Sequence, residues 1–254
     1  MLKRILQSIA KKAGYKIITN DHYSRMFDIS CYSDFDCLYL LKDIYGQNSQ
    51  LTFIDIGANE GQTSIKFSRN FNQSKIYCFE PFKDTYSVLL NNLQPYPNVS
   101  SYQLAMGESE GRLEVYHTLH SQWNTLVPAT NEILKNRNAT SEMINVTTVD
   151  TFCETNSIER IHLLKSDTEG FEREVINGSR KMLESKMIDM YYVEVRFNDG
   201  DKQHNNWLDI VKIMTNYQYY FAGLFEINYV DKIRIGYANA LFVCEPATKI
   251  KDNF

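Results

Sequence analysis

The sequence predicts an α/β domain built on a mostly parallel sheet, and three observations lead there. Short, nearly continuous apolar runs recur at 51–56, 76–80 and 161–166, each closed by glycine, proline or acid. Between the first two runs, and again at 83–94, apolar residues fall at helical spacing. Strand and helix then keep alternating to the end of the chain. Runs apolar on both faces belong to strands covered from both sides, and crossover helices between them give right-handed βαβ units.

Taken in order, the chain begins with Leu2, Ile5, Leu6, Ile9, Ala10 and Ala13 at helical spacing, with Lys3, Arg4, Lys11 and Lys12 between them. This reads as a basic amphipathic helix within an N-terminal helical extension over 1–45, ahead of a single domain over 46–254. Packing on the domain or on a second copy is its ordinary use; weak contact with an anionic membrane is the other. The run 51–56 is the first strand, 61–70 a helix, 76–80 the second strand, 83–94 a helix and 99–104 the third strand. Residues 111–116 alternate like a half-exposed strand, 118–143 are polar and loop-like, and 144–149 return as strand. The runs 161–166 and 187–195 are strands, with a helix at 171–177 between them. A helix at 204–216 and strands near 217–221 and 238–243 complete the pattern.

Bulk properties narrow the function. The chain has 254 residues, 43% of them hydrophobic, which suits one complete α/β domain. Its net charge of −4 hides an asymmetry: five of the 27 basic residues lie in 1–16, leaving 22 against 31 acidic ones, so the body is near −9. Such a body repels a phosphate backbone and argues against nucleic acid as a partner. Cys31, Cys37, Cys78, Cys153 and Cys244 are irregularly spaced, a poor disulfide or zinc framework. Cys78 and at least two others read as small core residues in a reducing, cytoplasmic setting. No apolar run approaches membrane-spanning length.

The strongest functional signal is Asp55-Ile56-Gly57-Ala58-Asn59-Glu60-Gly61, a glycine turn between a buried strand and a helix. Glycines there permit a tight turn and close approach of a ligand to the backbone. Glu80 ends the next strand, 23 residues after Gly57, where a carboxylate accepts hydrogen bonds from ribose hydroxyls. Asp55 and Glu60 add negative charge beside the turn. A diphosphate wants the opposite, so the electrostatics favour the cationic sulfonium of S-adenosylmethionine over a dinucleotide.

Three segments in the same order carry a resemblance. The run Phe53-Ile54-Asp55-Ile56-Gly57-Ala58-Asn59-Glu60-Gly61-Gln62-Thr63, then Phe79-Glu80-Pro81, then 164–172 with Asp167-Thr168-Glu169-Gly170, resembles the FkbM family of methyltransferases. Similar segments lie at 104–107 and 146–150, so the likeness covers roughly 50–195. It implies a Rossmann-like class I methyltransferase fold with a mostly parallel seven-stranded sheet flanked by helices. It also implies oxygen methylation of a sugar, glycan or related natural product. By matching position, Asp55, Gly57, Ala58, Asn59 and Gly61 would hold the methionine part of the cofactor and Glu80 its ribose. Ala105 and Met106 would border the adenine, and Thr63 and Pro81 lie in the matching runs. Ser166 stands where the family more often has an apolar residue.

The acids Asp167, Glu169 and Glu194 lie at the carboxyl ends of neighbouring strands, where ligands of open α/β sheets bind. Methyl transfer needs an aligned acceptor oxygen and a base for its proton. Asp167, Glu169 and Glu194 are the candidates, with His204 a further one; Glu172 reads instead as a helix N-terminal acid. His162, inside a strand, reads as a hydrogen-bonded core residue, and the late tyrosines and phenylalanines as sheet packing. No dedicated metal-ligand pattern is present, so no metal is expected. The expected partner is a small-molecule or glycan acceptor; homo-oligomerisation stays open. The rival functions are a nucleotide-dependent oxidoreductase and a non-catalytic scaffold at a membrane edge.

Overall fold

A computed structural model describes residues 36–46, 48–117, 140–197 and 205–245. Its first described helix, α1 (Asp36–Tyr45), precedes strand β1 (Thr52–Ile56). The alternation that follows is α2 (Gln62–Asn70), β2 (Lys75–Phe79), α3 (Lys83–Leu93) and β3 (Val99–Tyr102). Then come β4 (Ala105–Met106), β5 (Gly111–His117), β6 (Thr140–Thr147), α4 (Val149–Thr155) and β7 (Leu163–Ser166). The chain continues through α5 (Glu172–Asn177), α6 (Arg180–Glu184), β8 (Met190–Arg196), α7 (Trp207–Asn216), β9 (Tyr219–Tyr229) and β10 (Ile235–Cys244).

Seven strands form the main sheet in the order β3-β2-β1-β7-β8-β10-β9. Strands β1, β2, β3, β7 and β8 are parallel, and β10 runs antiparallel to both β8 and β9. This is the mostly parallel seven-stranded sheet of the class I methyltransferase fold. One face carries Ile54, Leu164, Val193 and Phe242, packed against Phe152, Val175, Leu183 and Met214 of α4, α5, α6 and α7. The other carries Phe53, Ile76, Leu163, Tyr192 and Leu241 under Leu38 and Leu41 of α1 and Phe67 of α2. Both faces are therefore buried, as the continuous apolar runs require.

The second face changes character along the strands. At their amino ends it is apolar, at Phe53, Leu163 and Met190. Two to six residues on, the same face carries Asp55, Lys165, Asp167, Glu194 and Arg196, because side chains repeat every second residue. Beside it, the crossover that leaves β1 runs to β2 on one side, and the crossover that leaves the neighbouring β7 runs to β8 on the other. That divergence opens the crevice in which such sheets bind ligands.

Several expected bounds shift. The run 99–104 breaks after Tyr102, and Ala105–Met106 leaves to pair with β6 in a separate three-stranded sheet, β4-β6-β5. Strand β6 begins at Thr140, inside the stretch expected as loop, because it pairs with β5 through His117. Val149, expected as strand, starts α4 because the Thr148 side chain caps it, accepting from the Thr151 amide at 2.9 Å. Helix α7 starts at Trp207 rather than 204 for the same reason, with Asn206 accepting from Leu208 N. The aromatic tail packs on the sheet only in part: Tyr219 is buried and Phe221 meets Trp207 and Phe242, whereas Tyr220 and Tyr229 are exposed. Cys37, Cys78, Cys153 and Cys244 are all buried. His162 Nδ1 accepts from Thr52 N at 2.9 Å, a satisfied structural histidine. Among the described residues no helix is long and apolar enough to cross a membrane.

Candidate cofactor and acceptor site

The turn after β1 is built by backbone. Gly57 N and Ala58 N both donate to Phe79 O, which ties the turn to the end of β2. Gly57 has φ +77°, and a Cβ there would stand 1.8 Å from the carbonyl oxygen of Asp167. Only glycine lets the turn after β1 touch the turn after β7. Asn59 takes a left-handed φ of 50°, and Gly61, at φ 94°, caps α2 without a side-chain bond. Strained backbone at a ligand-facing turn persists because its surroundings over-determine it.

Glu80 lies where the β2 strand ends and is 5% exposed. Its Oε2 accepts from Asn59 N at 3.1 Å and its Oε1 from Phe82 N at 3.0 Å. Burial pushes its carboxyl up to about 7, against the pull of those two amides. Each oxygen keeps a further lone pair, the acceptor set that a ribose diol needs. Asp55 is fully buried; Oδ2 accepts from Ser64 Oγ at 2.7 Å, while Oδ1 has no hydrogen-bond partner. Burial raises its pKa, opposed by Lys165 and Ser64. Asn59 Oδ1 is likewise buried and unpartnered. Two orphaned acceptors beside a glycine turn fit a ligand bearing an ammonium and other donors.

Not every residue expected around the cofactor faces it equally. Ala58, Pro81 and Gly61 are buried, and Thr63 is half-buried on α2. Met106 is fully buried in the main core, and Ala105 packs with Phe82, Val115 and Ile144 in the smaller cluster beside β2.

The acceptor edge is a charge cluster. Carboxylate oxygens of Asp167, Glu169 and Glu194 come within 4.8 Å of one another. Lys165 Nζ is 3.0 Å from Asp167 Oδ2. Arg196 Nη2 lies 2.7 Å from Glu194 Oε1 and 3.2 Å from Glu169 Oε2, and its guanidinium sits 4.6 Å from the Tyr237 ring centre. Burial, then the charges of Asp167 and Glu169, push Glu194 far above the carboxylate range. Burial is the largest influence on Asp167 and acts in the same direction, but the Lys165 charge, hydrogen bonds with Glu194 and Lys165 and the Arg196 charge together hold the group low. The side chain of Asp167 is 31% exposed, that of Glu194 10%.

The loop between Asp167 and α5 is held by Glu172, which does more than complement a helix dipole. Its Oε1 accepts from Thr168 N at 2.8 Å and Thr168 Oγ1 at 2.9 Å, and its Oε2 from Asn205 Nδ2 at 2.8 Å. Glu169 and Gly170 both have positive φ in this loop. His204 lies outside the described residues. Lys165, Arg196 and Ser64 escaped the sequence reading. The signal for Lys165 was a lone cation in a run otherwise buried on both faces, which demands a partner.

Comparison with known proteins gives a consistent picture. The model of the methyltransferase FkbM domain matches residues 55–221. The 2-O-methyltransferase NoeI of Sinorhizobium fredii is 24% identical over 174 residues, covering 62% of this chain and 70% of that protein. The methyltransferase sdnD of Sordaria araneosa is 30% identical over 183 residues, covering 61% and 67%. Among solved structures, Aeropyrum pernix fibrillarin with bound S-adenosyl-L-methionine aligns over 82% of this chain and 73% of its own, at 12% identity and TM-score 0.45. An rRNA methylase from Streptococcus thermophilus aligns over 84% and 97%, at 9% identity and TM-score 0.48.

Proposed function

The chain belongs to the FkbM methyltransferase family, and from that premise we propose that it moves a methyl group from S-adenosylmethionine to a hydroxyl of a sugar, glycan or related natural product. The observation that carries the donor half is Glu80: a buried carboxylate with both oxygens fixed by backbone amides, beside the glycine turn at the divergence of the sheet. To the methionine end Asp55 and Asn59 offer oxygens that make no hydrogen bond, and Gly57 keeps the floor free of side chain. When bound, S-adenosylmethionine supplies an electrophilic methyl group on a cationic sulfur.

The hydroxyl reading rests on the acceptor edge and on one relative's printed activity. An alcohol is a weak nucleophile and needs a base as its oxygen attacks. Asp167, Glu169 and Glu194 gather carboxyl groups at the carboxyl ends of β7 and β8, next to the donor turn. A sugar presents several such hydroxyls, and NoeI is named a 2-O-methyltransferase. Direct displacement needs no covalent enzyme intermediate, so the chain's contribution is alignment, proton removal and exclusion of water.

Methyl-labelled S-adenosylmethionine incubated with a panel of glycans, lipid-linked sugars and hydroxylated natural products tests this. The expected result is label on an acceptor oxygen, lost in Asp167→Asn and at least weakened in Glu169→Gln. Label on nitrogen or carbon, or full activity in both variants, would overturn the hydroxyl chemistry.

A further inference from the structure

Lys165 is 6% exposed in the centre of the sheet. An isolated ammonium at such a site is expensive, so its partners decide its purpose. Register sets Lys165 directly beside Asp55 on the parallel strand β1. Asp167 follows two residues later on the same face. The ammonium accordingly stands 3.8 Å from Asp55 Oδ1 and 3.0 Å from Asp167 Oδ2. It bridges the carboxylate at the donor turn and the carboxylate at the acceptor edge.

We propose that Lys165 is a positioning residue for methyl transfer, pinned between Asp55 and Asp167 so that its ammonium holds the Asp167 carboxylate in place to receive the acceptor's proton. This rests on the methyl-transfer reading above. The other groups facing the cluster are Glu169 from the same loop, Glu194, Arg196 and Tyr192 from β8, Glu226 from β9 and Tyr237 from β10. Arg196 is shared by Glu169 and Glu194, whereas Lys165 leans on Asp167 and Asp55. Two carboxyl groups in contact are driven apart in proton affinity when their environments differ. Here burial and the neighbouring acids keep the proton on Glu194, and Lys165, with the hydrogen bond from Glu194 and the Arg196 charge, keeps it off Asp167. In the reaction an O–CH₃ bond forms and the S–CH₃ bond breaks, its electron pair remaining on sulfur. The hydroxyl proton passes to Asp167, whose partial exposure lets it leave to water.

The test needs no acceptor. Protein labelled with ¹³C at its carboxyl carbons is titrated by NMR between about pH 4 and about pH 9, with and without S-adenosylhomocysteine, whose binding is measured first by calorimetry. Loss of single resonances in Asp167→Asn and Glu194→Gln assigns the pair. In the unmodified protein Asp167 is expected to stay ionised to the acid end while Glu194 remains protonated through neutral pH. In Lys165→Met the Asp167 midpoint should rise by at least about one pH unit, a tenfold change in proton affinity, and Lys165→Arg should restore it. An Asp167 midpoint that matches exposed aspartates in the unmodified protein overturns the inference, even if Lys165→Met does not fold. So does a midpoint unmoved in folded Lys165→Met. Failure of S-adenosylhomocysteine to bind would instead remove the methyl-transfer reading, and this inference with it.

Discussion

Glu80 shows what a single residue costs and gains at the donor site. Its carboxyl titrates near 7 because burial opposes its charge. The folded chain therefore holds a proton that the unfolded chain has released between its ordinary value and about 7, so stability falls as pH rises through that window. Relative to Glu80→Gln, the unmodified protein should lose roughly 1–3 kcal/mol between about pH 5 and about pH 8, read from urea unfolding. Ribose hydroxyls donate to the ionised form, so affinity for S-adenosylhomocysteine should weaken as pH drops below about 7, and stay flat in Glu80→Gln. Gly57→Ala sets a Cβ against the Asp167 carbonyl oxygen at a positive φ and should cost at least about 2 kcal/mol by the same unfolding assay. These two residues were legible in the sequence because a turn and a strand end fix their places by spacing alone. Lys165 and Arg196 were not, because their meaning lies in pairing across strands, and register is invisible in one sequence.

Among the elements, the loop from Asp167 to α5 couples donor and acceptor halves. Its amides and hydroxyl converge on Glu172, which is 2% exposed. Glu172→Ala would strand these buried donors and should cost about 2–4 kcal/mol in urea unfolding, with weaker S-adenosylhomocysteine binding as the loop loosens against Gly57. Asp209→Ala removes only the exposed pair with Arg173 and should stay within about 0.5 kcal/mol. Central strands such as β1, β7 and β8 were readable because burial on both faces leaves a nearly continuous apolar run. In the small sheet β5 and β6 were read as strands but β4 was not, because it has two residues and its partner β6 comes from far along the chain. The short helices α4 and α6 escaped for a related reason: too few turns to show a period.

Across the whole molecule, the proposed reaction divides between two halves of the sheet. Strands β1 and β2 present Asp55, Gly57, Asn59 and Glu80, and strands β7 and β8 present Lys165, Asp167, Glu194 and Arg196. The two meet between β1 and β7, whose outgoing crossovers run in opposite directions. The family match at 55–221 spans both halves. Everything said of the acceptor edge depends on a methyl donor seated at the turn. The most direct measurement is therefore calorimetric titration of the purified chain with S-adenosylhomocysteine, alongside Glu80→Ala. Saturable binding near micromolar affinity is expected, weakened at least about tenfold, or about 1.4 kcal/mol, by that substitution. A folded protein that binds neither S-adenosylhomocysteine nor S-adenosylmethionine would contradict methyl transfer at this site.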